Sequence, residues 1–462
     1  MCGIFAVSNH PEAPRLTYLG LYALQHRGEE SAGIISFDGK KTNYQKKMGQ
    51  VGDAFGEESL ASLKGKYALG HVRYSTTGSS SLMNIQPFFV RHKKGHISIA
   101  HNGNLTNTFD LHNKMEDEGS IFQTSTDSEI ITHLIAKSSA KDIKIKIKSA
   151  LSQLEGAYSL AIMADGMIIG ARDPSGFRPL CLGKLNNSYI LTSETCALDL
   201  IHAKYIRDIE PGEILFIKDK KLESVKLGKK EKSSFCIFEH VYFARPDSNI
   251  FTKNVYLTRK RLGQQLAKEY QPDCDFAMPI PDSGSYAALG YAEAAKLSYE
   301  TGMIRNHYVG RTFIQPSQFI RDFRVRVKLN PVKDVLAGKK VLIIEDSIVR
   351  GTTSKARIKT LREAGAKEVH MGVSCPPIKF PCFYGIDFPT KEELIASKKE
   401  VDEIRDFMGL DSLHYLSLKG MLKAMYLPSG KFCTACFNGK YPVDIPESFN
   451  KNMLEEVRKC QK

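Results

Sequence analysis

A chain of 462 residues exceeds the size at which one hydrophobic core stops growing, so two domains of about 230 residues each are the first expectation. Apolar residues at 42% and charged residues at 25% exclude extensive disorder, and no run reaches the ~18 consecutive apolar residues of a membrane span. A net charge of +14 with a pI of ≈ 9.1 suits a solvated surface or the steering of anionic small substrates. With no basic stripe interleaved with stacking aromatics, it does not make a nucleic-acid binder.

In chain order, the apolar run at 97–100 reads as a strand. Residues 142–148 alternate Ile and Lys as a strand would. Yet Ile143, Ile147, Leu151 and Leu154 share one helical face, so we expect a helix there that ends at Gly156. Another strand-like run follows at 158–163, and such alternation of strands and helices implies stacked layers. The segment 226–234 is charged, polar and without an apolar period, which marks a linker and divides the chain into domains of residues 2–230 and 231–462. Beyond it come an apolar strand at 341–344, a helix at 354–364 closed by Gly365, and an alternating strand with Val369, Met371 and Val373. This is a βαβ unit, which implies a mainly parallel sheet with ligands at the carboxyl ends of its strands. The start Met1-Cys2-Gly3-Ile4-Phe5 lacks the layout of a signal peptide. Ten cysteines spread over the length are too sparse for a disulfide scaffold, and a cytoplasmic location is expected.

Cys2 carries the first chemical expectation. Once Met1 is removed, one residue holds both a thiol and a free α-amine, and an amine titrating near ~8 can act as the thiol's own general base. Around it stand Gln25-His26-Arg27-Gly28, Gly70-His71-Val72-Arg73-Tyr74-Ser75-Thr76, His101-Asn102-Gly103-Asn104-Leu105 and Thr126-Asp127-Ser128-Glu129. In this order the motifs resemble the class II glutamine amidotransferases, which adopt an N-terminal-nucleophile hydrolase fold, an αββα sandwich. The resemblance implies that Cys2 attacks the glutamine side-chain amide, with Asn102 and the Gly103 amide as the oxyanion hole. It implies that Arg73 holds the substrate carboxylate and Asp127 its ammonium. A salt bridge or helix cap is the plainer role open to Arg73 and Asp127.

In the second half, Val341-Leu342-Ile343-Ile344 is followed by Glu345-Asp346-Ser347-Ile348-Val349-Arg350-Gly351-Thr352-Thr353. Carboxylates at a strand end can accept bonds from ribose hydroxyls, while loop amides and a helix N-terminus hold a phosphate. Two acids merely ending a buried strand is the alternative. The element resembles the phosphoribosyl pyrophosphate signature of type I phosphoribosyltransferases, whose fold is a mainly parallel sheet flanked by helices. By that resemblance Glu345, Asp346, Ser347, Arg350, Gly351, Thr352 and Thr353 bind the substrate. Further stretches narrow the match: Glu239-His240-Val241-Tyr242-Phe243-Ala244-Arg245-Pro246-Asp247-Ser248, Pro279-Ile280-Pro281-Asp282-Ser283-Gly284, and Val309-Gly310-Arg311-Thr312-Phe313-Ile314-Gln315-Pro316. With the first half, they resemble the amidophosphoribosyltransferases, or glutamine phosphoribosylpyrophosphate amidotransferases, over nearly the full chain.

The resemblance implies synthesis of 5-phosphoribosylamine from glutamine and phosphoribosyl pyrophosphate, opening purine biosynthesis. The implied assembly is a homotetramer restrained by purine nucleotides. Mg2+ would be held by Ser283, Glu345 and Asp346. The family usually has Asp-Asp where this chain has Glu345-Asp346, which leaves the sugar hydroxyls as the firmer partner of Glu345. The basic segment 311–328 reads as a lid closing over an anionic substrate or as solvated charge. A non-catalytic regulator is the competing class, for which an intact Cys2 site would have no purpose.

Cys433 and Cys436 form a CxxC, ambiguous among redox dithiol, zinc and iron-sulfur ligation. Cys236 and Cys382 lie in contexts that match the cluster-bearing branch of the family. Four such thiolates imply one 4Fe-4S cluster, with zinc as the alternative. Cys181, Cys196, Cys274, Cys375 and Cys460 are expected to be small buried or inert residues.

Overall fold

The computed structural model describes residues 1–74, 80–92, 95–228, 232–306, 329–388 and 390–446. The basic segment 311–328, the stretch 309–316, Ser75, Thr76 and Cys460 lie outside the described residues.

Two antiparallel sheets make up the first half. Strand β1 (Gly3–Ser8) leads into helix α1 (Ala13–Ala23), then β2 (Ser31–Phe37), β3 (Thr42–Met48), β4 (Tyr67–Arg73), β5 (Phe88–His92) and β6 (Gly95–Leu105). Helices α2 (Thr108–Asp117), α3 (Asp127–Lys137) and α4 (Ile143–Leu151) precede β7 (Gly156–Ala164) and β8 (Met167–Arg172). The half closes with β9 (Cys181–Leu185), β10 (Ser188–Thr192), β11 (Lys204–Asp208), β12 (Glu213–Lys218) and β13 (Lys221–Lys226). One sheet has the order β11-β9-β10-β1-β4-β2-β3 and the other β13-β12-β8-β7-β6-β5.

The period-2 alternation of β1 explains the layering. Ile4 and Ala6 enter a core with Leu69, Ala161 and Leu215 from both sheets, whereas Phe5 and Val7 face Leu21 and Ala23 of α1. On the second sheet Ile97, Ile99 and Leu160 meet Ile131, Ile135, Ile147 and Leu151 of α3 and α4. The result is helix on sheet on sheet on helix, the αββα sandwich. Ile147 and Leu151 are each at most 1% exposed, so each burial is worth about 1.5–3 kcal/mol.

The helix expected across 142–148 forms, and the Asp142 side chain caps it by accepting from the Lys144 N–H at 2.8 Å. It ends at Leu151, however, and Gly156 opens β7 instead of closing the helix. The apolar period misled because Leu154, 7% exposed, packs on the same core from a turn beyond the last helical residue.

In the second half, β14 (Phe235–Cys236) and α5 (Val255–Glu269) precede β15 (Phe276–Pro279), α6 (Ser285–Ala295) and β16 (Ser298–Tyr299). There follow β17 (Lys340–Glu345), α7 (Thr352–Glu363), β18 (Glu368–Val373), β19 (Ser412–Tyr415) and β20 (Phe432–Cys433). The main sheet has the order β16-β15-β17-β18-β19, with every neighbouring pair parallel. The β17–α7–β18 unit is the predicted βαβ, although α7 starts at Thr352 where the sequence suggested 354. Its first turn is therefore made of the hydroxylated residues themselves. Among the described residues no helix is long and apolar enough to cross a membrane.

Candidate active sites

Strand register assembles the first site. β1 pairs with β4, Gly3 opposite Val72, so Cys2 comes level with Arg73. Ile97 and Ile99 of β6 point toward the helices, while Asn102, of opposite parity, turns its side chain to Cys2. Its Oδ1 accepts from the Cys2 backbone N–H at 3.2 Å. Among the described residues its Nδ2 is buried without a hydrogen-bond partner, although Asn102 is fully enclosed. Gly103 is the next residue of the strand. The Cys2 Sγ lies 3.6 Å from the Tyr74 carbonyl oxygen.

Arg73 is buried and ion-paired with Glu30. Asp127 opens α3, where its Oδ2 accepts from the Leu105 N–H at 3.0 Å and its Oδ1 lies 3.4 Å from His101 Nδ1. Burial works against charge on both groups, but their mutual attraction wins, raising the His101 pKa and lowering that of Asp127. Asp127 thus stands in the first turn of α3 without capping it: its carboxylate is turned to the Leu105 N–H and to His101. The Met1 side chain is fully buried in the core of the second half. Burial, assisted by Arg27 and Arg178, lowers its amine to about 5.

Behind Cys2 lies a fully enclosed charge network that sequence reasoning did not assemble. The Arg27 Nε donates to the Cys2 carbonyl at 2.8 Å, and its Nη atoms reach both Glu194 (2.5 Å) and Glu239 (2.9 and 3.0 Å). Arg178 stands 3.6 Å from Glu239, and His26 lies 2.8 Å from Glu194. Glu194 also accepts from the Arg245 N–H at 2.9 Å and Ser248 Oγ at 2.7 Å. Burial opposes charge on Arg27 and Glu194, yet the surrounding opposite charges raise the pKa of Arg27 and depress that of Glu194. Arg27 lies in the Gln25-His26-Arg27-Gly28 motif and Glu239 opens the 239–248 stretch, so a sequence signal existed for both. Glu194 had none.

At the carboxyl ends of β15 and β17 a cavity of ≈ 400 Å³ opens, the location a parallel sheet favours for ligands. Ser283, Glu345, Asp346, Ser347, Arg350, Gly351, Thr352 and Thr353 all line it, so every predicted phosphoribosyl-site residue is brought to one place. Tyr74, Tyr242, Arg357, Asp387 and Phe388 join them without having been predicted. Glu345 is pushed up to about 8, by burial first and by Asp346 second, against the pull of Arg357 at 3.0 Å. Asp346 accepts a hydrogen bond from the Ser347 hydroxyl. Two adjacent buried carboxyls, one of them reluctant to ionise, are a donor set that a divalent cation would satisfy. Arg350 sits at the rim, paired with Glu393 at 3.1 Å.

Cys236, Cys382, Cys433 and Cys436 face a second, apolar cavity with Phe177, Tyr384 and Tyr441. β14 and β20 pair in parallel with Cys236 opposite Cys433, and Cys436 follows within one helical turn. All nine described cysteines are free thiols. Burial pushes Cys236 up to about 11, with Arg178 pulling it down, and raises Cys433 and Cys436 further. Four soft donors converging in a dry pocket fit a thiolate-bound metal centre, which would displace their protons. Cys181, Cys196 and Cys375 are buried elsewhere, and Cys274 is half-buried.

Comparison with known proteins places these features together. The glutamine amidotransferase domain family matches residues 71–200. The amidophosphoribosyltransferase of Synechococcus elongatus is 49% identical, over 99% of this chain and 94% of its own. That of Bacillus subtilis is also 49% identical, over 99% and 97%. A solved structure described as the allosteric regulatory enzyme of purine biosynthesis matches with a TM-score of 0.94 at 47% identity, covering 98% of this chain and 99% of that one. The B. subtilis glutamine phosphoribosylpyrophosphate amidotransferase, complexed with ADP and GMP, gives 0.92 at 48% identity over 97% and 99%. The chain belongs to the amidophosphoribosyltransferase family, the enzymes that open purine biosynthesis by joining a glutamine amidotransferase to a phosphoribosyltransferase.

Proposed function

We propose that Cys2, freed of Met1, is the nucleophile of the glutamine half. Its thiolate attacks the side-chain amide of glutamine, its α-amine takes the thiol proton, and the proton passes to the departing ammonia. The developing oxyanion is met by the Asn102 Nδ2 and the Gly103 N–H. Arg73 takes the substrate carboxylate and Asp127 its ammonium, each already held by a neighbour, Glu30 and His101. Water then resolves the thioester to glutamate. The observation that carries this reading is the buried, unpartnered Asn102 Nδ2 beside Cys2. A buried donor without an acceptor costs about 1–3 kcal/mol, and an oxyanion arising there supplies what it lacks.

Ammonia passes by an enclosed route to the cavity below β17 and attacks C1 of phosphoribosyl pyrophosphate, forming 5-phosphoribosylamine. Glu345 and Asp346 bind the ribose hydroxyls, and the amides of residues 347–353 at the N-terminus of α7 receive the 5-phosphate. Ser283, Glu345 and Asp346 would hold Mg2+, which would supply charge neutralisation for the leaving pyrophosphate. The same proposal assigns one 4Fe-4S cluster to Cys236, Cys382, Cys433 and Cys436. Support comes from their convergence on one apolar cavity. A cytoplasmic homotetramer restrained by purine nucleotides completes the reading. The ADP and GMP bound to the B. subtilis relative support the nucleotide part.

Anaerobic assay of pyrophosphate release tests it, with glutamine or free ammonia as donor and Mg2+ present. Cys2→Ala should lose the glutamine reaction and keep the ammonia reaction; pyrophosphate release from neither enzyme would end the proposal. Iron and sulfide determination on the same sample decides between cluster and zinc.

A further inference from the structure

The glycine assigned to the oxyanion hole is gripped from two sides. φ at Gly103 is 153°, and a Cβ there would stand 2.0 Å from the Ala157 carbonyl oxygen of β7. On the other side comes Gly385 of the second half, φ 100°, whose own Cβ would stand 2.9 Å from the Gly103 carbonyl carbon and 3.0 Å from its Cα. Backbone meets backbone across the domain seam with no side chain between.

The residues before Gly385 are fastened to the first half as well. Asn104 Nδ2 donates to the Phe383 carbonyl at 3.0 Å, and Arg178 donates to the Tyr384 carbonyl through Nε at 2.9 Å and Nη2 at 2.5 Å. The Tyr384 ring stacks on Phe177 with centroids 4.3 Å apart. Glycine has the widest backbone freedom of any residue, so the direction of the Gly103 N–H is set by what surrounds it.

We propose that residues 383–385 are a positioning element of the glutamine reaction, holding Gly103 in line so that the oxyanion hole is complete only when the second domain is docked. This rests on the roles given above to Cys2, Asn102 and Gly103. The reasoning is geometric: donors act on a transition state when they are aimed before charge develops, and a loss of about 1 Å in a supporting contact is enough to blunt them. The strap reaches further at both ends, since Cys382 lines the cysteine cavity and Asp387 and Phe388 line the phosphoribosyl cavity.

Gly385→Ala in the full-length enzyme is the test, measured by steady-state kinetics with glutamine and with free ammonia. The added methyl has to push Gly103 aside. Glutamine-dependent kcat should fall about 10–100-fold, with the KM for glutamine and the ammonia-driven rate each held within about threefold. Unchanged glutamine kcat would overturn the proposal, as would a parallel fall of the glutamine and ammonia rates, the mark of a general structural lesion. If Gly385→Ala does not fold, Asn104→Ala replaces it, with an expected split of about three- to tenfold in kcat; wild-type glutamine kcat in that variant would sink the idea alone. Cys2→Ala separates the two levels. Retained glutamine use there refutes the underlying roles, whereas its loss alongside a normal Gly385→Ala enzyme refutes only the strap.

Discussion

Replacing Glu239 by Gln removes one negative charge from a cluster that water does not reach. Arg27, Arg178, Glu194 and Glu239 are each fully buried, and their two positive and two negative charges balance. Glu239 accepts two hydrogen bonds from Arg27, at 2.9 and 3.0 Å, and faces Arg178 at 3.6 Å. An amide keeps the shape but leaves one guanidinium charge uncompensated in a low-dielectric interior, where breaking a buried pair costs about 3–5 kcal/mol. Against a total stability of about 5–15 kcal/mol, that is a large fraction. Because Glu239 belongs to the second half and Arg27 to the first, the cost is also a cost of docking. Arg27 in turn holds the Cys2 carbonyl, so the loss should be felt at the nucleophile. Urea unfolding of wild type and Glu239→Gln should show a loss of unfolding free energy of that size, read from the midpoint and the slope. Glutamine-dependent turnover should fall more than the ammonia-dependent rate. A variant within about 1 kcal/mol of wild type would refute the claim that the network ties the halves together.

Asn102→Ala should lower glutamine-dependent kcat by about 10²–10³ while changing KM little; a change confined to KM would remove Asn102 from the oxyanion hole. Asp346→Asn should depress the glutamine and ammonia reactions together, since both use the same acceptor cavity. His71 and His240 are both lowered to about 3 by burial, so the folded state binds fewer protons than the unfolded one below about 6.5. Their folded neutral forms therefore cost stability as pH falls from 6.5 toward 3, by up to about 1.4 kcal/mol per pH unit for each histidine. His240, whose ring nitrogens have no hydrogen-bond partner among the described residues, packs edge-on to Phe251 and Phe432. His240→Phe should flatten the acid limb of a stability-versus-pH curve, and an unaltered slope would contradict the assignment. Oxidative loss of the proposed cluster should lower the melting temperature, and thermal stability retained after iron removal would argue that the four thiols do not staple the fold.

What the sequence made legible was local. The 341–353 element works within thirteen consecutive positions of one strand, loop and helix, so its residues had to share one cavity. Cys2 and Arg73 are far apart in the chain, yet each stands at a strand terminus inside a short run of chemically distinctive residues. The buried charge network was illegible for the opposite reason: Arg27 and Glu239 are separated by 212 positions, and each residue type alone has an ordinary surface explanation. The same holds for Gly385 against Gly103, a backbone contact that no side-chain chemistry announces. The helix misread at its end failed through the apolar pattern itself, since Leu154 keeps the helical period after the helix has unwound.

Tyr74 links the proposed nucleophile to the phosphoribosyl cavity. Its carbonyl is 3.6 Å from the Cys2 thiol, while the same residue borders the phosphoribosyl cavity. Tyr74 is therefore common to the surroundings of Cys2 and to the wall of the phosphoribosyl cavity. Asp387, on the strap that continues from Gly385, faces Tyr74 closely enough to help burial raise its hydroxyl pKa. The single methyl of Gly385→Ala bears on Gly103, whereas the wall of the acceptor cavity is formed two and three residues further on, by Asp387 and Phe388. Neither half owns the junction: the residue after β4 is Tyr74, and the loop after Cys382 supplies Gly385, Asp387 and Phe388. In water at physiological pH ammonia is mostly ammonium, which is no nucleophile, so release away from bulk solvent keeps it reactive toward the acceptor.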